Sequence, residues 1–390
     1  MKTIKAKLLT IAMLLCSISV SSYDFKVDGI YYAISSMEEL TVSVVDGDEN
    51  YSGEIVIPET VIFKERTLNV TGIGHYAFYC NDELTSVNIP NSVTTIEKGA
   101  FSYCSALQSI DIPNSVTSIG EYAFCYCESL QNINIPNGVT TIEARAFEGC
   151  KSLQTIDLPN SVITIGDGTF FSCTGLTSVN IPSSVKTIES HAFAYCKNLA
   201  NIIVDQNNII YDSRENCNAI IETATNTLIV GCKNTIIPNS VTSIGSKAFA
   251  DCTDLTSITI PDSVVTIGEE AFKLCSNLTN IAIPNSVVTI GNAAFCDCTK
   301  LSNISMSNSV KTIGTIAFAN CSSLTSIAIP NSVVTIGDAA FSGCTSLTSL
   351  TIPNSVTSIG EYAFYGCTNL KTVLNLSVLK IGKGYQEMDT

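Results

Sequence analysis

Eleven of the chain's 17 cysteines stand at one interval: Cys104, Cys127, Cys150, Cys173 and Cys196, then Cys252, Cys275, Cys298, Cys321, Cys344 and Cys367, spaced by 23 residues within each set. Thiols can hold zinc, attack as nucleophiles or cross-link. Zinc sites want close pairs such as C-x-x-C, and none occurs. A nucleophile wants a base, and His75 and His191 are the only two histidines in 390 residues. His191 precedes Ala192-Phe193 in a slot where Tyr122 and Lys247 stand in other repeats, and reads as an outward surface residue. Calcium is suggested by "VDGDEN", where Asp46, Asp48 and Asn50 match the first three ligand positions of an EF-hand loop. The loop then has Tyr51 where glycine is needed and Ile57 where a bidentate glutamate is needed, so it reads as an acidic turn. No G-x-S-x-G, H-E-x-x-H or Walker sequence is present. An enzyme is not expected, and neither is a cofactor or a metal.

The remaining chemistry is that of contact surfaces. Asn88, Asp111, Asn134, Asp157 and Asn180 recur at the same 23-residue interval, whereas Thr259, Ala282, Ser305, Ala328 and Thr351 occupy that position later. Tyr103, Tyr126 and Tyr195 stand at another shared position, held later by Asp251, Leu274 and Asp297. Tyrosine is apolar in body and polar at its tip, which suits it to macromolecular contact. These eight residues are the candidate binding residues.

What positions them is a repeat. "LTSVNIPNSVTTIEKGAFSYCSA" (Leu84–Ala106) is followed directly by "LQSIDIPNSVTSIGEYAFCYCES" (Leu107–Ser129). Phe78, Phe101, Phe124, Phe147, Phe170 and Phe193 keep the interval, and so do Phe249, Phe272, Phe295, Phe318, Phe341 and Phe364. A fixed period in the twenties with an L-x-x-I-x-I core marks a leucine-rich-repeat solenoid. Val87 and Ile89 alternate with Ser86 and Asn88, which predicts a strand with one buried face. Pro90 stops that strand because proline has no N–H for the ladder. "SVTTI" predicts a second extended piece, and Ala100-Phe101 a short helical or 3₁₀ turn with Phe101 inside the coil. The expected fold is a right-handed solenoid with parallel strands, in which stacked coils share one core. About thirteen coils at roughly 4.8 Å each predict a body on the order of 60 Å long.

Stacked cysteines would lie about 5 Å apart, inside the range for a disulfide. A column of equals offers no unique pairing, so small buried free thiols fit best; disulfides stay open as the alternative in an exported chain. "CYC" (Cys125–Cys127) and "CDC" (Cys296–Cys298) are expected to turn one thiol outward each, since neighbours in an extended piece face opposite ways.

The frame resembles the BspA-like leucine-rich-repeat family of secreted and surface proteins, over residues 24–375 or so. "DFKVDGIYYAI" and "YSGEIVIPETV" look like that family's N-terminal cap, a short β element over residues 23–72. The resemblance implies adhesion to host proteins or to neighbouring cells. A glycan-binding module for polysaccharide capture is the alternative; the tyrosines and the Asn/Asp column favour it, and the absence of Trp weighs against it.

Residues 73–205 and 233–373 then form two sets of repeats. Between them, Phe193 to Phe249 spans 56 residues, two periods plus ten. The surplus, residues 206–232, contains "NAIIE" and "TLIVG" around "TATN", which predicts a hairpin pushed out of the stack. It reads as a surface loop locking the halves, or as a binding loop. Residues 374–390 lose the frame, as a worn cap or a truncated tail. Residues 1–22 read as a signal peptide: Lys2, Lys5 and Lys7, then the apolar run Leu8–Cys16, then Val20-Ser21-Ser22. Leu15 before Cys16 does not suit lipidation. Removing this segment takes the net charge from −15 to −18, which disfavours nucleic acid and anionic lipid as partners. The expected protein is secreted or held at the cell surface, with no membrane insertion after processing. Its expected partners are extracellular or host proteins, or else glycans.

Overall fold

The computed structural model of the chain describes residues 23–378. The signal-peptide reading of residues 1–22 and the tail from 379 onward lie outside the described residues.

Each coil contributes to two files of short parallel strands. The first file in the N-terminal half holds Leu84–Asn88, Ser109–Asp111, Asn132–Ile133, Thr155–Ile156, Ser178–Ile181 and Asn201–Val204. The second holds the Thr-Ile or Ser-Ile pairs Thr95–Ile96, Ser118–Ile119, Thr141–Ile142, Thr164–Ile165 and Thr187–Ile188. Pairing runs in strict register, with Ile119 against Ile142 and Ile165 against Ile188. The strands are only two to five residues long, so single coils hold little by themselves. Stability comes from what they enclose.

The interior is a set of stacked columns. Phe78 to Phe193 and Phe249 to Phe364 form two ladders of buried rings, with centroids 4.9–5.6 Å apart and planes within 15° of parallel. The repeat fixes that near-parallel geometry, although isolated rings prefer offset or edge contacts. Leu107, Val116 and Ile119 of one coil are fully buried around the ladder, as are most of their equivalents; Ile188 and Ile359, in the last coil of each half, are partly buried.

The Ala-Phe turn is neither α-helical nor 3₁₀, which corrects the expectation. Among the described residues the one helical piece is the 3₁₀ segment Arg214–Asn216, in the insert. Each coil instead has two left-handed residues flanking the Phe by two: Gly99 and Tyr103, Tyr122 and Tyr126, Glu270 and Leu274. These flips aim alternate amides along the stack. Gly99, Phe101 and Tyr103 N–H donate to the Glu121, Ala123 and Cys125 carbonyls of the next coil at 2.7–2.8 Å. The amides between them close local turns, as Ala100 does onto Glu97 at 3.2 Å.

At the N-terminal side, β1 (Phe25–Val27), β2 (Ile30–Ser36) and β3 (Thr41–Val45) pair antiparallel in sequence. β4 (Gly53–Val56) runs parallel to Leu84–Asn88 and so begins the first file. β5 (Thr60–Phe63) and β6 (Arg66–Ile73) form a hairpin, and β6 joins β3 to Thr95–Ile96. Tyr32, Val42, Val44, Leu68 and Val70 are fully buried, in one core with the first Phe ladder.

The segment between the halves is not pushed out of the stack. Ile220–Glu222 and Thr227–Val230 form an antiparallel hairpin, and Thr227–Val230 pairs in parallel with Ser243–Ile244 of the next coil. Both of its faces are buried. Ile220 and Val230 belong to the core of the first half, while Ile221 and Leu228 belong to that of the second. Arg214 braces the segment, with three hydrogen bonds of 2.6–3.0 Å to the Asp212 carboxylate and others to Asn226 and Ser240.

Candidate binding surfaces

Asn88, Asp111, Asn134, Asp157 and Asn180 are all exposed and form one file on the outer side of the first strands. Parallel pairing sets Asn88 beside Asp111 and Asn134 beside Asp157, at the strand spacing of about 4.8 Å. The file has apolar flanks that sequence reasoning missed: Val56 pairs with Asn88 and is 61% exposed, and Ile203 pairs with Asn180 and is 50% exposed. Ile203 was readable from the period; Val56 was not, because β4 lies outside it. Shallow hollows of about 540 and 370 Å³ adjoin the file, the first lined by Asn88, Pro90, Asp111 and Pro113 among others, the second by Asn132, Asn134 and Asp157 among others.

The tyrosines lie along the turns, away from this file, and only two of the three come together. Tyr103 and Tyr126 stack with centroids 4.9 Å apart, and Tyr79 meets the edge of Tyr103 at 5.8 Å. Tyr126 also covers Gly149, where an added Cβ would lie 2.6 Å from the ring. Its hydroxyl donates to Glu148 at 3.3 Å. Burial and then the Glu148 charge push that phenol up to about 12. Tyr195 stands apart: its ring packs on Phe171 and its hydroxyl donates to Glu270 Oε2 at 2.8 Å, tying one half to the other. Sequence reasoning missed Tyr76 and Tyr79, which extend the aromatic group at 5.5 Å from each other.

The cysteine column consists of free thiols. Cys104, Cys127, Cys150 and Cys173 donate to the Phe78, Phe101, Phe124 and Phe147 carbonyls of the preceding coil at 2.9–3.2 Å, and the second half repeats this from Cys275 to Cys367. Burial pushes every one of these thiols up, Cys104 and Cys196 to about 12. Cys125 and Cys296 are also buried, against the expectation that they face out. The left-handed Tyr126 and Asp297 between the paired cysteines break strict alternation, and the extra thiols are covered outside the Phe-ladder core: Cys296 packs with Ala293 and Ala319 and donates to Asp297 at 3.3 Å.

His75 Nε2 lies 3.3 Å from Glu97, and His191 Nδ1 lies 3.4 Å from Asp167. In the acidic turn, Asp46 accepts from the Gly47 N–H at 2.9 Å and Asp48 from the Tyr23 hydroxyl at 2.6 Å. Among the described residues, no group of three or more His, Cys, Asp or Glu side chains is placed to hold a metal. No described helix is long and apolar enough to cross a membrane.

Residues 71–200, 229–348 and 311–385 match the BspA type leucine rich repeat region, in six copies. A leucine rich cell surface protein from Faecalibacterium prausnitzii is similar at 30% identity and a TM-score of 0.69, over 90% of this chain and 94% of that one. A leucine-rich repeat protein from Bacteroides ovatus is 33% identical with a TM-score of 0.57, over the same shares. One from Eubacterium ventriosum shares the fold at 22% identity and a TM-score of 0.65, over 96% of this chain and 97% of that one. No curated protein matches the chain.

Proposed function

The chain belongs to the BspA-type leucine-rich-repeat family, and from this premise we propose a non-enzymatic binding protein of the cell surface or exterior that adheres to extracellular or host proteins. The observation that carries the proposal is the exposed file from Val56 through Asn88, Asp111, Asn134, Asp157 and Asn180 to Ile203. It offers amides and carboxylates in a straight row between two apolar flanks, which is the composition of a contact strip and not of a pocket. The signal-peptide reading and the description of the Faecalibacterium relative support the location.

Protein is favoured over glycan because the tyrosine faces are occupied. Tyr103 and Tyr126 cover one another and Tyr126 covers Gly149, so what they present outward is edge and hydroxyl. The test is binding of the chain from Tyr23 onward to an array of extracellular-matrix proteins and glycans. Saturable binding to a protein is expected. Changing Asn88, Asp111, Asn134, Asp157 and Asn180 together to alanine is expected to weaken it about tenfold or more. Replacing Tyr103 and Tyr126 by alanine is expected to cost less. Glycan binding without protein binding refutes the proposal.

A further inference from the structure

The hydrogen-bonded row along the turns is interrupted between the halves. In complete neighbouring coils the amide two before the Phe and that of the Phe reach carbonyls of the next coil. Gly168 and Phe170 bond Ser190 and Ala192 at 3.0 and 2.8 Å; Glu270 and Phe272 bond Asn292 and Ala294 at 2.8 and 2.7 Å. His191 and Phe193 hold these positions at the end of the first half, and among the described residues their N–H groups meet no acceptor. Across the gap the Ser246 carbonyl meets no donor among the described residues, although its equivalent Glu269 accepts from Lys247 at 2.9 Å.

The insert is the cause. At its level the row is served by Gly231 alone, whose N–H bonds the Ala248 carbonyl at 2.7 Å. The Phe249 ring lies over Gly231, where an added Cβ would sit 2.2 Å from the ring. The outer part of one turn is therefore missing, and a cleft of about 260 Å³ stands in its place. Residues 188–194 form one wall, Thr227, Ile229 and Val230 the floor, and residues 245–248 the other wall.

We propose that this cleft is a docking slot for a short main-chain segment of a partner polypeptide. Its carbonyls accept from the His191 and Phe193 N–H groups, its N–H donates to the Ser246 carbonyl, and its small side chains rest on Ala192, Ile229 and Ala248. Donors on one wall face an acceptor on the other across the thickness of one absent coil, and a peptide presents acceptors and donors on opposite edges. The cleft lies below the usual volume of a small-molecule site, which limits the occupant to a few residues. The neighbouring coils display the same mode within the chain, where residues 290–294 lie along the turn of the coil before them. A free anion is a poorer match. The basic side chains at the walls already have acidic neighbours, Lys247 with Glu270 at 3.9 Å and His191 with Asp167 at 3.4 Å.

The probe is the blocked pentapeptide Ile-Gly-Asn-Ala-Ala, the sequence of residues 290–294. Amide exchange at His191 and Phe193, read by NMR on the whole mature chain, is expected to slow about tenfold at saturating peptide. An N-methylated version that cannot donate is expected to bind about tenfold more weakly. Ser190→Trp and Ser246→Trp, one on each exposed rim, are each expected to abolish the protection while leaving thermal unfolding unchanged. No protection at saturating peptide, undiminished protection in both variants, or equal protection by acetate or phosphate would overturn the proposal. None of these outcomes involves the Asn/Asp file, so this slot and the adhesive face stand or fall separately.

Discussion

Raising the pH should unfold this protein through its buried thiols. All eleven column cysteines are held above their ordinary value of 9.0, first of all by burial. The folded value is the raised one, so the neutral thiol's contribution is fully present below pH 9 and is lost as pH climbs toward the folded value. At pH 10 an unfolded thiol of 9.0 is about nine-tenths ionised, while folded Cys367 and Cys104, pushed up to about 11 and about 12, are still protonated, and burial raises the deeper thiols in the same direction. A thiol ionised only in the unfolded chain costs on the order of 1 kcal/mol at pH 10, and the column together on the order of 10 kcal/mol. A loss on the order of 10 kcal/mol is comparable to the whole stability of an ordinary domain. Urea midpoints followed by circular dichroism in reductant, from pH 7.5 to 10, test this. The slope also reports cooperativity: about ten protons released for joint unfolding, about five in each of two steps if the halves melt separately. A flat midpoint between pH 8 and 10 refutes the reasoning, because thiols already ionised, cross-linked or exposed in the folded chain would give that result.

Three further outcomes follow from the packing. Phe147→Ala opens a hole between rings 5.4 and 5.5 Å away and is expected to cost about 3–5 kcal/mol, measured by urea titration. Ala339→Gly relieves a left-handed residue, φ 49°, by deleting only a methyl group, and is expected to raise stability by about 1 kcal/mol in the same assay. Alkylation of the native protein at pH 8 is expected to mark Cys80, the partly exposed thiol among the described residues, and to reach the column only after urea; mass spectrometry of the labelled peptides checks it.

Much of the fold was legible because the period is covalent in origin: a 23-residue interval places every Phe above the last, whatever its neighbours do. The Asn/Asp file was legible for the same reason, as alternation about Ile110 and Ile133 puts Asp111 and Asn134 outside. The turn was not. Left-handed residues usually declare themselves as glycine or asparagine, yet here they include Ile316, Leu274 and Lys247, types that give no local hint of positive φ. Stacking dictates those conformations, since only they aim three amides at the next coil. Neighbouring turns also cover Cys125 and Cys296, which lie outside the Phe-ladder cores. The insert misled in another way. Adjacent apolar pairs such as Ile220-Ile221 mark a strand buried on both faces, a sign that a hairpin pattern read alone does not carry.

The turn row has an electrical consequence. The Ala100–Phe101 peptide unit accepts from Phe78 through its carbonyl and donates to Ala123 through its amide, and the units on either side of it behave alike. Three wires of head-to-tail peptide dipoles therefore run the length of each half, with every positive pole toward the C-terminal side. An α-helix carries its positive pole at the opposite terminus. In an acidic chain this gives each half a polarity that its side-chain charges do not supply. Where the halves face one another, the amide pole of the first, at His191 and Phe193, looks across the cleft at the carbonyl pole of the second, at Ser246.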